Sequence, residues 1–327
     1  MLRLVPFLVL ALLAAACHGK GGATEPKAGG SGSAAPVDIL DKVPADTAMV
    51  IHLDVRRLLT SRLWERFGAE VTKVPEVSKT IAFLKASCDF DLMKDLHEID
   101  VAVPRSLDED AVVFLLRGNL DRDTFTRCIR AAIKQNGEPE PTVRSHGRFT
   151  EVQTAKEKGV FGWAADDTLV VSVKGMQGGA AALAWLDDGA RKPSPELRAL
   201  RARMKSDQMF SGIVLVSGKM GEQVASAMPG QAPAAMWFNI AQDKGLNAEL
   251  GLTYADEQGA KEMAGTAQKA FAELGEQPET ARYKNMLHAT AQGRDVQMLL
   301  DMDAESFDAI VNQLMTALPA LMQMLGK

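Results

Sequence analysis

The chain has 327 residues, 46% hydrophobic and 24% charged, with aromatic residues at only 6% and 16 methionines. That is ample material for a core of Ala, Val, Leu and Met, and it excludes a disordered or low-complexity chain. The formal net charge of -5 leaves no electrostatic footprint for nucleic acid.

Residues 1–16 carry one positive charge, Arg3, an apolar run from Leu4 to Leu13, and the small residues Ala14, Ala15 and Ala16. This is the layout of a secretory signal peptide. The apolar run is shorter than the ~20 residues that span a bilayer, and no later segment approaches that length. The cleavage region leads into Cys17 and resembles a bacterial lipobox, which implies a lipid on Cys17. Ala14 stands where that motif usually has Leu, and ordinary cleavage beside an incidental cysteine is the alternative. Residues 17–36 are rich in Gly, Ser, Ala and Pro and read as a flexible tether. By resemblance to Gram-negative lipoproteins, the absence of Asp directly after Cys17 implies the outer membrane, with the folded part facing the periplasm.

Two cysteines remain. In an oxidising compartment an even pair suggests a Cys88–Cys128 disulfide closing a loop of about 40 residues; two separate buried thiols are the alternative.

Periodicity along residues 37–327 gives two similar series of elements. In the first half, residues 37–190, a strand is expected over 48–53 and a helix over 55–67. A second helix follows at 76–87, then strands at 98–103 and 111–117. Asp121 starts a helix to about 135. Strands follow at 148–153, 160–164 and 168–173, the last two joined by a turn at Asp166-Asp167, and then a helix of small residues at 179–186. Turn formers at 187–195 mark the boundary, and a helix over 196–204 bridges to the second half, residues 191–327. There the pattern predicts a strand at 210–216, a helix at 221–227, strands at 235–241 and 247–254, and a helix from Asp256 to 274. Strands at 282–289 and 296–301 and an apolar-faced, Met-rich helix at 304–325 complete it. Short links favour antiparallel pairing, so the expected class is α+β, antiparallel sheets packed against helices in two structurally similar halves.

Residues 43–64 read VPADTAMVIHLDVRRLLTSRLW. Val43, Pro44, Ala45, Asp46 and Thr47, then Asp54, then Ser61, Leu63 and Trp64, resemble the opening of a group of uncharacterised exported Gram-negative lipoproteins. The resemblance covers mainly residues 43–175. It implies export and anchoring and contributes no reaction; its motifs read as a turn, a strand and a core tryptophan.

The search for chemistry assigns no catalytic, cofactor-binding or metal-binding residue. His18, His52, His97, His146 and His288 show no ligand spacing, and no nucleophile elbow or phosphate loop occurs. The carboxylate pairs Asp89/Asp91, Asp121/Asp123, Asp166/Asp167 and Asp187/Asp188 fall where Asp caps helices and turns. The basic run Arg198, Arg201, Arg203 and Lys205 reads as a solvated helix face. Three functions fit, in this order: an anchored protein holding an apolar ligand or lipid, an envelope protein binding another protein, and an enzyme. The sequence is read as non-enzymatic.

Overall fold

The computed structural model describes residues 40, 43, 47–105, 112–135, 139–146, 149–154, 157–175, 194–205, 207–227, 231–276, 281 and 284–313. Cys17, the tether, the helix expected at 179–186 and the end of the terminal helix lie outside these residues.

The first strand, β1 (Thr47–Asp54), is followed by α1 (Val55–Thr60), α2 (Arg62–Lys73), α3 (Pro75–Cys88) and α4 (Leu92–Asp95). Next come β2 (Leu96–Pro104), β3 (Val112–Gly118), α5 (Arg122–Gln135), and β4 to β7 (Thr142–His146, Phe149–Gln153, Glu157–Ala165, Thr168–Gly175). The short helix α6 (Pro195–Arg201) leads into β8 (Phe210–Leu215), α7 (Gly218–Ala227), β9 (Ala235–Ala241) and β10 (Leu246–Thr253). Then α8 (Glu257–Glu276), β11 (Leu287–Gln292), β12 (Asp295–Met302) and a helix over 304–313, α9, complete the described chain.

All twelve strands form one antiparallel sheet in the order β11-β12-β10-β9-β8-β1-β2-β3-β7-β6-β5-β4. The expected α+β class is therefore present, but as a single continuous sheet rather than several. The join is β1 against β8, antiparallel, with Val50 opposite Ile213. On either side of that join the order repeats. β1-β2-β3-β7-β6 runs one way and β8-β9-β10-β12-β11 the other, with α5 and α8 each following the third strand. This is the arrangement of two similar units placed back to back across one strand pair.

Alternation along the strands divides the core into two layers. On one side, Val50, Val113, Leu115, Val170, Ile213 and Trp237 pack beneath α6 with Leu197, Leu200 and Met204. On the other, Phe114, Leu116, Phe161, Trp163 and Leu169 pack with Leu92 and Phe125 beneath the helices of the first half. Leu252 and Val296 lie on that same side with Ala260 and Ala264 of α8. β3 sends buried side chains both ways, as a central strand must.

The expected helix over 55–67 is broken at Ser61. Its hydroxyl donates to the Leu58 carbonyl (2.6 Å), ending α1, and accepts the Trp64 backbone N–H (3.1 Å), starting α2. Ser61 and the buried Trp64, which packs with Leu58 and Met209, thus set a corner in the chain. Two members of the acidic pairs are caps: Asp91 and Asp121 accept backbone N–H groups of α4 and α5, as Asp256 and Asp303 do for α8 and α9, while Asp187 and Asp188 lie outside the described residues. The Asp166-Asp167 turn joins β6 to β7. β4 and α4 were not expected, and β11 begins five residues later than the strand predicted from 282. In β4 the polar Thr, Arg, Ser and His hide the alternation, because the strand lies at the sheet edge with only Val143 packed inward.

Candidate functional site

Two features lie at the join of the halves, one on each face of the sheet. On the α6 side, register places Asp100, His52, Ser211, Asn239 and Glu249 directly opposite one another across β2, β1, β8, β9 and β10. Adjacent members are cross-strand neighbours about 5 Å apart. His52 Nδ1 donates to Asp100 Oδ1 (2.8 Å), and Arg117 Nη1 bonds Asp100 Oδ2 (3.2 Å) and Glu98. Asn239 Nδ2 donates to the Arg203 carbonyl (3.0 Å) and to Glu249 (3.2 Å), and its Oδ1 accepts the Lys205 backbone N–H (3.0 Å). Lys205 Nζ and Gln297 Nε2 complete the shell of Glu249 at 2.7 and 2.6 Å.

The residue types Asp, His and Ser stand in sequence along this row. Ser211, however, is 1% exposed, and its Oγ has no hydrogen-bond partner. A nucleophile needs both the base within reach and a route for substrate, and Ser211 has neither. The row is a tie: through Asn239 and Glu249 it fastens residues 203–205, the link from α6 to β8, onto the sheet. This accounts for Arg203 and Lys205 of the basic run. Arg203 pairs with Asp295 (2.7 Å) and stacks on Trp237 (4.9 Å to the ring centroid), and Lys205 pairs with Glu249. Among the described residues no group of three or more His, Cys, Asp or Glu is placed to hold a metal.

Burial pushes the Glu249 carboxyl up, but hydrogen bonds from Lys205 and Gln297, the Lys205 charge and Asn239 outweigh it and hold it below its ordinary value. A depressed folded-state pKa contributes stability that is full above the unfolded-chain value and lost as pH falls through the folded value. Glu249→Gln is therefore expected to flatten the acid limb of a urea-midpoint against pH curve below about pH 5. An unchanged acid limb would contradict the tie.

The opposite face carries the second feature. Across β2, β1, β8 and β9, register aligns Val103, Met49, Val214 and Met236. In the next row stand Val101, Ile51, Gly212 and Phe238, with Leu250 beyond them on β10. Every one except Gly212 keeps part of its surface open. The helical layers diverge here. α4 and α5 cover the first half, α8 covers the outer strands of the second, and neither layer buries Met49, Ile51 or Val214. The result is a partly open apolar strip across the strands at the seam, a shallow trough whose Val101 joins the first-half core and whose Met236 and Leu250 join the second-half core. Gly212 is required at its centre, because a Cβ there would lie 2.5 Å from the Phe238 ring, which packs against Phe210 (5.0 Å).

One end of the trough is closed by a contact between halves. α2 crosses from the first half to α9 of the second: Leu63 and Phe67 pack with Phe307 and Val311, and Arg62 Nη1 donates to Asp308 (2.9 Å). The Leu63 backbone N–H is also bound by Gln242 (2.8 Å). Phe307, Ile310 and Val311 of the terminal helix thus serve as core where they are described. The trough itself was not visible in the sequence, since its lining comes from strands far apart in the chain.

No family model and no curated protein matches the chain. Solved structures do. The fold is similar to that of TP0453. One crystal form of TP0453 aligns at 10% identity over 85% of this chain and 99% of that one, with a TM-score of 0.51. Another aligns at 11% identity over 86% and 98%, with a TM-score of 0.49. At such identity the likeness to TP0453 is one of fold. It spans nearly the whole of TP0453 and most of this chain.

Proposed function

We propose that this chain is an exported protein, anchored in the outer membrane through a lipid on Cys17 and facing the periplasm, that holds an apolar ligand in the trough. The trough carries the reading: two rows of apolar side chains in register stay partly open between two helical layers, where an ordinary core would close. The signal-like residues 1–16, the tether at 17–36 and a cysteine pair suited to an oxidising compartment support the placement. We assign the two units joined at β1 and β8 to residues 37–190 and 191–327. No residue is assigned a catalytic role, and no cofactor is invoked.

The test uses the Cys17→Ser chain exported behind a cleavable signal and purified without detergent. Native mass spectrometry is expected to show a stoichiometric adduct of lipid-like mass, and Val214→Trp, which fills the trough, is expected to lose it while keeping its thermal midpoint within a few degrees. An apo mass for the parent chain would sink the reading.

A protein partner is the second reading. It is favoured by the open face of β10, β12 and β11, where Asn247, Leu299, Asp301, His288, Thr290 and Gln292 are exposed. It predicts a specific crosslink in the envelope that Leu299→Asp removes.

A further inference from the structure

Joining two units into one sheet leaves two outer edges, β4 and β11. The bonds of β11 to its neighbour show which of its backbone groups face outward. The Asp301 N–H donates to the Met286 carbonyl (2.8 Å), and β11 pairs with β12 without a register shift. Bonds in an antiparallel ladder alternate, so His288, Thr290 and Gln292 turn their backbone groups inward to β12, and Leu287, Ala289 and Ala291 turn theirs outward. Gln268 of α8 donates to the Ala289 carbonyl (2.8 Å), in keeping with that direction. The other outward groups meet no partner among the described residues.

Edge strands of soluble proteins are blunted by proline, by charged side chains or by bulges. β4 has two of these guards, Pro141 at its start and the exposed Arg144 within it. β11 reads LHATAQ, with no charge, no proline and no bulge. An edge of this kind can pair with its own two-fold mate without setting like charges opposite each other.

The two ends of β11 carry opposite charges. Arg294 is exposed in the turn that follows the strand and makes no ion pair among the described residues. Asp301, exposed on β12 opposite Met286 at the start of the strand, makes none there either. Lys284, a second charge at that end, lies along α8 against Gly275, 2.8 Å from the position of a Cβ. Asp301 is on the opposite face, with Leu299, and Leu300 and Met302 pack inward beneath α9. A two-fold axis through β11 brings the Arg294 end of one copy to the Asp301 end of the other, twice.

We propose that β11 is a self-association edge through which two copies of this chain pair antiparallel into one continuous sheet. The register sets Ala289 opposite Ala291 of the second copy and Thr290 opposite its own mate on the axis. It also sets His288 against Gln292, and Arg294 beside Met286, next to Asp301 of the second copy. The Ala289 carbonyl has a second lone pair, so it can accept across the axis while keeping Gln268. The pairing is isologous and closes on itself, leaving the guarded β4 as the outer edge of each copy. It stands apart from the trough at the seam.

The experiment is sedimentation equilibrium of the Cys17→Ser chain, exported behind a cleavable signal, from about 1 to about 100 µM. The parent is expected to show a monomer–dimer equilibrium in that range. Ala291→Pro removes an outward N–H and no bond to β12. It is expected to weaken the dimer about tenfold or more while the thermal midpoint stays within a few degrees. Thr290→Lys sets two like charges on the axis through an exposed side chain; it should do the same, and it decides the matter if the proline variant fails to fold. Arg294→Glu should weaken the dimer by about tenfold, since the axis breaks both pairs, and adding Asp301→Arg should restore it. A parent that stays monomeric, or a dimer that survives both Ala291→Pro and Thr290→Lys, would overturn the proposal. A charge swap that restores nothing would overturn the antiparallel register.

Discussion

Asp100→Ala is expected to be among the most damaging single substitutions in the sheet, costing about 3 kcal/mol, at the lower edge of the range for breaking a buried pair. Asp100 is 4% exposed and accepts from two cationic or ring donors, His52 on β1 and Arg117 on β3. Removing it leaves His52 without its Nδ1 partner and Arg117 with Glu98 as the remaining carboxylate of the trio. Arg117 sits among partly buried groups and retains that bond to Glu98, which is why the lower edge applies. The position is also central: β1 and β2 flank the join, so the loss is felt by both halves. Urea unfolding of the parent and the variant measures it. The double variant His52→Leu with Asp100→Leu is the control. With donor and acceptor both replaced by apolar groups it should recover much of the loss, because the cost lies in the stranded partners. A loss below about 1 kcal/mol for Asp100→Ala would show that the His52–Asp100–Arg117 contacts do not stabilise the join.

That row illustrates what was legible in the sequence. His52 could be read as a histidine in an apolar strand, held there by a hydrogen bond, because Met49, Val50, Ile51 and Leu53 around it are apolar. Its partners could not be read. Asp100, Ser211, Asn239 and Glu249 come from four other strands, and their alignment is a property of register, fixed by turns and bulges outside any local window. The trough was hidden for the same reason: Met49, Val214 and Met236 look like any strand apolar residues, and only the divergence of the helical layers leaves them open. Local signals fared better. Asp121 and Asp256 start helices where their capping chemistry said they would, and the repeated order of elements predicted two similar halves. What the repetition could not convey was that β1 and β8 would pair and make one sheet of the two. Both are apolar on at least one face, and burying the open edge of each against the other removes two exposed strand edges at once.

The same back-to-back join explains why a site should arise at the seam and not within either half. Each unit buries its own strands beneath its own helices, α4 and α5 in one and α8 in the other. The strands at the join lie at the margin of both coverings. Only α2, reaching across to α9, bridges them on that face among the described residues. A trough there needs no special loop; it arises from covering one wide sheet with two separate helical layers.

Removing the Cys88–Cys128 bond is expected to lower stability by about 4 kcal/mol, from the chain entropy restored to a 40-residue loop in the unfolded state. The bond joins the last residue of α3 to the middle of α5, and Cys88 is buried. Both helices lie in the covering of the first half, on the sheet face that also forms the trough. The double variant Cys88→Ala with Cys128→Ala should therefore shift the urea midpoint strongly, and reductant should shift the parent to a similar value while leaving the variant unmoved. Alkylation of the unreduced, denatured parent followed by intact mass measurement checks the bond directly: no added thiol label on these two cysteines is expected, and two labels would overturn it. Ligand binding separates this effect from the trough. No residue of the trough floor belongs to α3 or α5, so at temperatures where the variant stays folded its affinity for an apolar ligand should match the parent within about twofold, the usual scatter for distant sites. A large loss of affinity in a folded variant would mean that the helical covering of the first half shapes the trough as well as bounding it.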